Sequence, residues 1–313
     1  MPVPPLPTVP PAFAATQVAD RGDAGRAWVA ALPGLVEASL ARWRLRLDGP
    51  PLTGRVALVL PVRRADGTAA ALKVQAVDEE TAGEPAALRA WNGDGAVRLL
   101  DHHLDAATGT DLLLLERLHP TRSRLTLPDD RAALEILCGL LARLTACPAP
   151  AGLRRLRDVA TSMLEQVPRA LARLPRDEDR RLVDRCAAAV ADLLPEPGDR
   201  LLHWDLHYAN VLAGEREPWL AIDPKPLAGD PGFELFPALW NRWEDVIADG
   251  DVTGSVRRRF DVMVATLGLD RSRAAGWTLG RILQQVLWNV EDGVTTVGPV
   301  LTVIAAAVST YAG

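Results

Sequence analysis

Two acids and an amide, Asp205, Asn210 and Asp223, stand within one short stretch, LLHWDLHYANVLAGEREPWLAIDPK at residues 201–225. That set suits phosphoryl transfer. One carboxylate has to orient an attacking hydroxyl and take its proton, while hard oxygen ligands hold the metal ions that neutralise phosphate charge. Asp205 is the candidate base, and Asn210 and Asp223 are candidate magnesium ligands. Apolar runs at 201–203 and 211–213 flank the first pair, residues 215–218 have turn character, and the run at 219–222 leads into Asp223. Asp205 and Asn210 therefore fall in a loop between strands, and Asp223 at a strand exit. Asp and Asn also populate turns for purely local reasons. The agreement of spacing with context favours chemistry.

His203, Asp205 and Asn210 fit H-x-D-x-x-x-x-N, the kinase catalytic-loop pattern, with Trp204 where protein kinases carry Arg. Asp223 stands where the metal-binding acid of D-F-G belongs, although Pro224 and Lys225 replace the Phe and Gly, so no regulatory flip of that segment is expected. His203 and His207 are four residues apart, a spacing that suits zinc on a helix, but their stretch reads as a loop. His203 is better read as a scaffold whose ring fixes the catalytic loop. Lys225 is a candidate phosphate or acceptor contact, with a surface ion pair as the alternative.

These groups need a lysine, an acid and a hinge to present a nucleotide. Ala65-Asp66-Gly67 separates two apolar runs and reads as a hairpin, which places Lys73 on the second strand, in ALKV, as in the V-A-I-K strand whose lysine meets ATP phosphates. Lys73 and Lys225 are the only lysines in a chain that otherwise uses Arg, so a compact ammonium is retained where its shape matters; a solvent-facing strand lysine is the alternative. Glu84, at the start of a helix over 85–91 that opens with Pro85, is the candidate partner, with Glu79 and Glu80 as substitutes. An acid there could equally be a solvated residue at a helix N-terminus. The run DLLLLERL at 111–118 reads as a buried strand whose exit, Glu116 to Leu118, would offer backbone groups to adenine.

At 313 residues, the chain has length for two lobes and a substantial core. Its 35 basic and 40 acidic residues give a net charge of -5, which does not call for nucleic acid or an anionic membrane as partner. Cys138, Cys147 and Cys186 form no C-x-x-C pair and read as reduced thiols. The proline-rich start, MPVPPLPTVPPAF, lacks the features of a secretory signal and reads as an extended arm. The uncharged run at 294–313 is nearly long enough to span a bilayer, but Gly298-Pro299 and the threonines favour a packed helix from Pro299, and a cytoplasmic location is expected. Helices are further predicted within 20–45 and over 129–146, 154–173, 177–194, 233–247, 254–266, 270–290 and 299–311. In ALWNRWEDVIADGD at 238–251, Trp240 and Trp243 beside Glu244 and Asp245 could hold a cationic ring. The plainer reading, and the stronger on sequence alone, packs both tryptophans in the core and turns the acids to water.

Residues 25–45, 58–74, 84–100, 113–118 and 201–235 together make the chain resemble the aminoglycoside phosphotransferase family, in its branch of streptomycin 6-kinases and hydroxyurea-resistance kinases. The resemblance implies an α+β, bilobal, protein-kinase-like fold, with a nucleotide-binding lobe at 1–118 and a helical lobe at 119–313 carrying the catalytic loop and acceptor site. It further implies ATP and magnesium as co-substrates and transfer to a hydroxyl of a small molecule; no obligate protein partner is expected. GDPGFEL at 229–235 is similar to the family's G-D-P-x-x-D-L segment, so Asp230 would brace the catalytic loop by accepting its amides, and Glu234, which replaces the usual aspartate, is grouped with the acceptor residues. One departure is the missing G-x-G-x-x-G; DGPPLTG at 48–54 stands there, and its two prolines remove backbone donors. A metabolic sugar or amino-alcohol kinase and a non-catalytic pseudokinase are the alternative readings.

Overall fold

In the computed structural model, which describes residues 9–123 and 129–311, the chain opens with α1 (Pro11–Arg42), kinked at Gly22. The helix starts well ahead of residue 20, inside the expected arm, because a proline in the first turn gives up only an N–H that no helical carbonyl would have taken. The first eight residues of that arm lie outside the described residues. Then follow β1 (Arg46–Leu47), β2 (Leu52–Thr53), β3 (Ala57–Arg63), β4 (Ala69–Ala76), α2 (Glu84–Trp91), β5 (Leu99–Asp105), β6 (Thr110–Glu116) and β7 (Leu118–Ser123). Strands pair in the order β1-β3-β4-β6-β5, with β2 also on β3. All of these pairings are antiparallel.

Alternation along β4 decides what each sheet face does. Ala70, Leu72, Val74 and Ala76 join Trp28, Leu32 and Val36 of α1 in one apolar core. The opposite parity leaves Lys73 and Gln75 for the other face. Gly67, at φ 85°, and the Asp66 carboxylate, which accepts the Thr68 N–H at 2.9 Å, close the β3–β4 turn and hold this register.

Residues 1–93 with 97–119 make one compact unit, and 94–96 with 120–313 make a second. The second contains α3 (Asp130–Ala146), α4 (Leu156–Arg173), α5 (Asp177–Leu193), β8 (Arg200–Leu202), β9 (Val211–Gly214), β10 (Leu220–Ala221), β11 (Leu227–Gly229), α6 (Phe236–Trp240), α7 (Trp243–Ala248), α8 (Val252–Leu267), α9 (Arg271–Glu291) and α10 (Pro299–Ser309). Residues 94–96 belong here because Gly95 C=O accepts the Ala221 N–H at 2.9 Å and Asp94 takes Arg143 Nε at 2.8 Å. α9 is the central helix, packed against α4, α5 and α10. Among the described residues no helix is long and apolar enough to cross a membrane. The apolar C-terminal run forms α10, whose Leu301, Ile304 and Val308 are buried.

The single helix expected over 233–247 is broken. A 3-10 turn at Pro231–Glu234 precedes α6, and Arg242, at φ 55°, separates α6 from α7. Long-range pairing overrides helix propensity at this point. Arg242 Nε lies 2.6 Å from Asp245 and 3.5 Å from Asp130, while Arg259 Nη1 donates to the Asn241 carbonyl at 2.9 Å.

Candidate active site

Within the first unit, Lys73 and Glu84 meet in a closed pair. Lys73 Nζ lies 2.8 and 2.7 Å from the two Glu84 oxygens, and the residues are 4 % and 1 % exposed. Gln75, two positions on along β4 and so on the same face, donates to Glu84 Oε2 at 2.6 Å. Glu84 is the first residue of α2, and a turn delivers it there: Asp78 accepts the N–H groups of Glu80 and Thr81, each at 2.9 Å. Glu79 and Glu80 fall inside that turn. At the exit of β6 the Glu116 N–H donates to Arg98 C=O at 3.0 Å, its carboxylate takes the Arg98 N–H at 2.7 Å, and Leu118 is buried.

In the second unit, β8 runs into the loop that carries His203, Asp205 and Asn210. Asn210 Nδ2 donates to the Asp205 backbone carbonyl at 2.9 Å, which turns its amide oxygen to other use. The Ile222 N–H donates to Asn210 C=O at 2.9 Å, so the residue before Asp223 is tied to the loop. His203 Nε2 donates to Ile222 C=O at 3.0 Å, and the Lys225 N–H donates to His203 C=O at 3.0 Å. Complete burial pushes the His203 ring down to about 4, so it is neutral near pH 7. Lys225 Nζ lies 3.2 Å from Asp205 Oδ2, so its ion pair is with the candidate base. Trp204 at φ 65° and Asp223 at φ 58° hold left-handed backbone without being glycine. Such positions cost on the order of 1–3 kcal/mol each and persist where surrounding contacts impose them.

The brace behind this loop differs from the expected one. Asp230 accepts the Gly232 N–H at 2.7 Å and Arg273 Nε at 2.5 Å, which makes it the cap of the turn at 231–234. Glu234, completely buried, accepts the Trp204 N–H at 2.8 Å. The bracing part thus falls to Glu234 and not to Asp230, because the longer side chain reaches the loop from within the core; burial equally removes Glu234 from the acceptor set. Desolvation pushes its carboxyl up to about 7, against the pull of the Trp204 amide and the Arg281 guanidinium. Arg281, 7 % exposed, lies 5.3 Å from the ring centres of both Trp204 and Phe233. Sequence reading passed over Arg281 and Gln75. A charged residue on the buried stripe of α9, and a polar one two places beyond Lys73, were the available signals.

The expected acceptor group at 240–245 is dispersed. Trp240 is 41 % exposed and meets Phe236 edge-on at 5.6 Å, so it is not a core residue. Trp243 is half-buried, and Glu244 and Asp245 are exposed. Asp245 lines a cavity of about 740 Å³ with Asp130, Asp249 and Arg259, but its carboxylate is engaged by Arg242.

Burial also lifts the thiols of Cys138 and Cys186 to about 12, which leaves them inert core residues. Among the described residues no group of three or more His, Cys, Asp or Glu side chains is placed to hold a metal ion. The Asn210 oxygen and the Asp223 carboxylate are instead a sparse, hard-oxygen set. Magnesium accepts such a set when phosphate and water complete its shell.

The fold is that of the aminoglycoside phosphotransferases. A thermostable mutant of APH(4)-Ia in complex with ADP and hygromycin B superimposes with a TM-score of 0.59 at 14 % identity, covering 88 % of this chain and 98 % of that one. The chain matches the family described as aminoglycoside/hydroxyurea antibiotic resistance kinase over residues 42–293, and it belongs to that family. It is 56 % identical to a streptomycin 6-kinase of Streptomyces glaucescens, over 96 % of each chain. It is 57 % identical to a hydroxyurea phosphotransferase of Kitasatospora aureofaciens, over 91 % of this chain and 81 % of that one.

Proposed function

We propose that this protein transfers the γ-phosphate of ATP, with magnesium, to a hydroxyl of a small molecule, an aminoglycoside such as streptomycin or hydroxyurea, and so confers resistance to it. The supporting relatives are those named streptomycin 6-kinase and hydroxyurea phosphotransferase. The observation that carries the mechanism is the closed hydrogen-bond circuit of the loop: Asn210 to Asp205, Ile222 to Asn210, His203 to Ile222, and Lys225 to His203 and Asp205. It supports Asp205 as the base that orients and deprotonates the acceptor hydroxyl. Asn210 Oδ1 and the Asp223 carboxylate would hold magnesium, which when bound neutralises charge on the transferring phosphoryl group. Lys73, fixed by Glu84, would meet the nucleotide phosphates as a point charge, and the backbone from Glu116 to Leu118 would meet adenine.

The test is ADP release in the presence of ATP and magnesium over a panel of streptomycin, hydroxyurea, amino sugars and amino alcohols. Phosphate should appear on streptomycin or hydroxyurea, and Asp205→Asn should lower kcat by roughly 10²–10⁴-fold. Acceptor-dependent turnover undiminished in Asp205→Asn would remove Asp205 from its role. Phosphate appearing only on a sugar or amino alcohol would make the protein a metabolic kinase of the same fold.

A further inference from the structure

We propose that Trp288 is the acceptor-stacking residue: a guanidinium-bearing ring of the acceptor lies on its exposed face while the acceptor hydroxyl is presented to Asp205. This rests on the phosphotransfer reading above and adds the place and chemistry of the acceptor contact. Trp288 is 38 % exposed on a helix that is otherwise largely buried. Its ring centre lies 6.2 Å from that of Trp204, tilted by 60°, and Trp204 is the residue immediately before Asp205. Consecutive Cα atoms are about 3.8 Å apart, so Trp288 is joined to the base through one ring contact and one peptide unit. On the inner side the protein supplies its own guanidinium, Arg281, 5.9 Å from the Trp288 ring centre. Trp204 is 3 % exposed, and its indole N–H is buried with no acceptor, so the aromatic pair beside the base holds an unsatisfied donor.

Exposed carboxylates lie on the Trp288 side of α9. Glu291 and Asp292 follow three and four residues on, hence on the same side of α9. Both are exposed, and neither carboxylate has an ion-pair or hydrogen-bond partner among the described residues. They sit at the negative end of α9, whose last turn has no basic residue. Arg173 Nη1 donates to the Val290 carbonyl at 3.2 Å, so one guanidinium of the protein already meets this helix end, and the two exposed carboxylates outnumber it there. The acids around the 740 Å³ cavity differ: Asp130, Asp245, Asp249 and Asp261 are paired with Arg259, Arg242, Arg258 and Arg271, and Asp129 caps α3 by accepting the Ala132 N–H.

The experiment is calorimetric titration of streptomycin, which carries guanidinium groups, into the full-length wild type, Trp288→Ala, Trp288→Phe, Glu291→Gln with Asp292→Asn, and Trp240→Ala, alongside turnover with ATP. Trp288→Ala should weaken streptomycin binding and raise its KM by about tenfold, with Trp288→Phe intermediate. The KM for ATP and for hydroxyurea, a small neutral acceptor, should stay within about twofold. The double acid variant should weaken binding severalfold and lose much of its salt dependence. Equal binding by wild type and Trp288→Ala, no binding by wild type, or weakening by Trp240→Ala alone would each overturn the inference. Trp288-dependent binding with no turnover of any acceptor would leave it standing and overturn the phosphotransfer reading.

Discussion

Replacing Glu234 with Gln should remove a pH dependence that the wild type carries. Glu234 is completely buried and its carboxyl is pushed up to about 7 from 4.5, chiefly by desolvation. A carboxyl whose folded value exceeds its unfolded one binds more protons when folded. Its contribution is therefore most favourable below about pH 4.5 and is lost as pH rises through about 7. The gap between 4.5 and about 7, at about 1.36 kcal/mol per pH unit, amounts to roughly 3 kcal/mol. Gln keeps an oxygen for the Trp204 N–H and cannot ionise. Denaturant unfolding of both proteins at about pH 5, 6, 7 and 8.5 should show the stability difference moving toward the variant by roughly 3 kcal/mol across that range. His203 titrates in both proteins and cancels in the difference. A difference constant with pH would refute the reasoning, since Glu234 would then stay ionised in the folded protein at pH 5 or find an additional cation.

His203 should shape the acid limb in the opposite sense. Its folded value, about 4 against 6.5, means stability is lost as pH falls from 6.5 through 4, by roughly 3 kcal/mol in total, and thermal melts of His203→Gln should decline less steeply over that window. Glu84→Ala leaves a buried ammonium at Lys73 without its carboxylate and should cost roughly 3–5 kcal/mol in denaturant unfolding, most of it recovered in a Lys73→Met, Glu84→Leu double variant. Gly198→Ala should destabilise by at least 1–3 kcal/mol on the order of other left-handed residues, because φ is +77° and the added carbon would lie 2.8 Å from the backbone of Asp230; an unchanged Tm would contradict this.

What could be read from sequence was whatever chemistry or alternation confines to a short span. Asp205 and Asn210 are five residues apart because one loop must carry both, and Lys73 follows its hairpin at a distance set by strand parity. The choice of Glu84 over Glu79 and Glu80 was less legible, since it depends on the Asp78 turn that lies between the strand and the helix. The brace and the α6–α7 break were illegible for a different reason. Glu234 reaches Trp204 across thirty residues, and Arg259 reaches Asp130 across 129, so neither pairing leaves a periodic mark. In the segment at 229–235 both Asp230 and Glu234 carry a carboxylate that could brace the loop. Reach and burial decide between them, and both belong to the packed core behind Trp204, where Arg281 and Phe233 also lie. The shorter Asp230 side chain is spent on capping its own turn and on Arg273, while the longer Glu234 side chain is the one that accepts the Trp204 N–H.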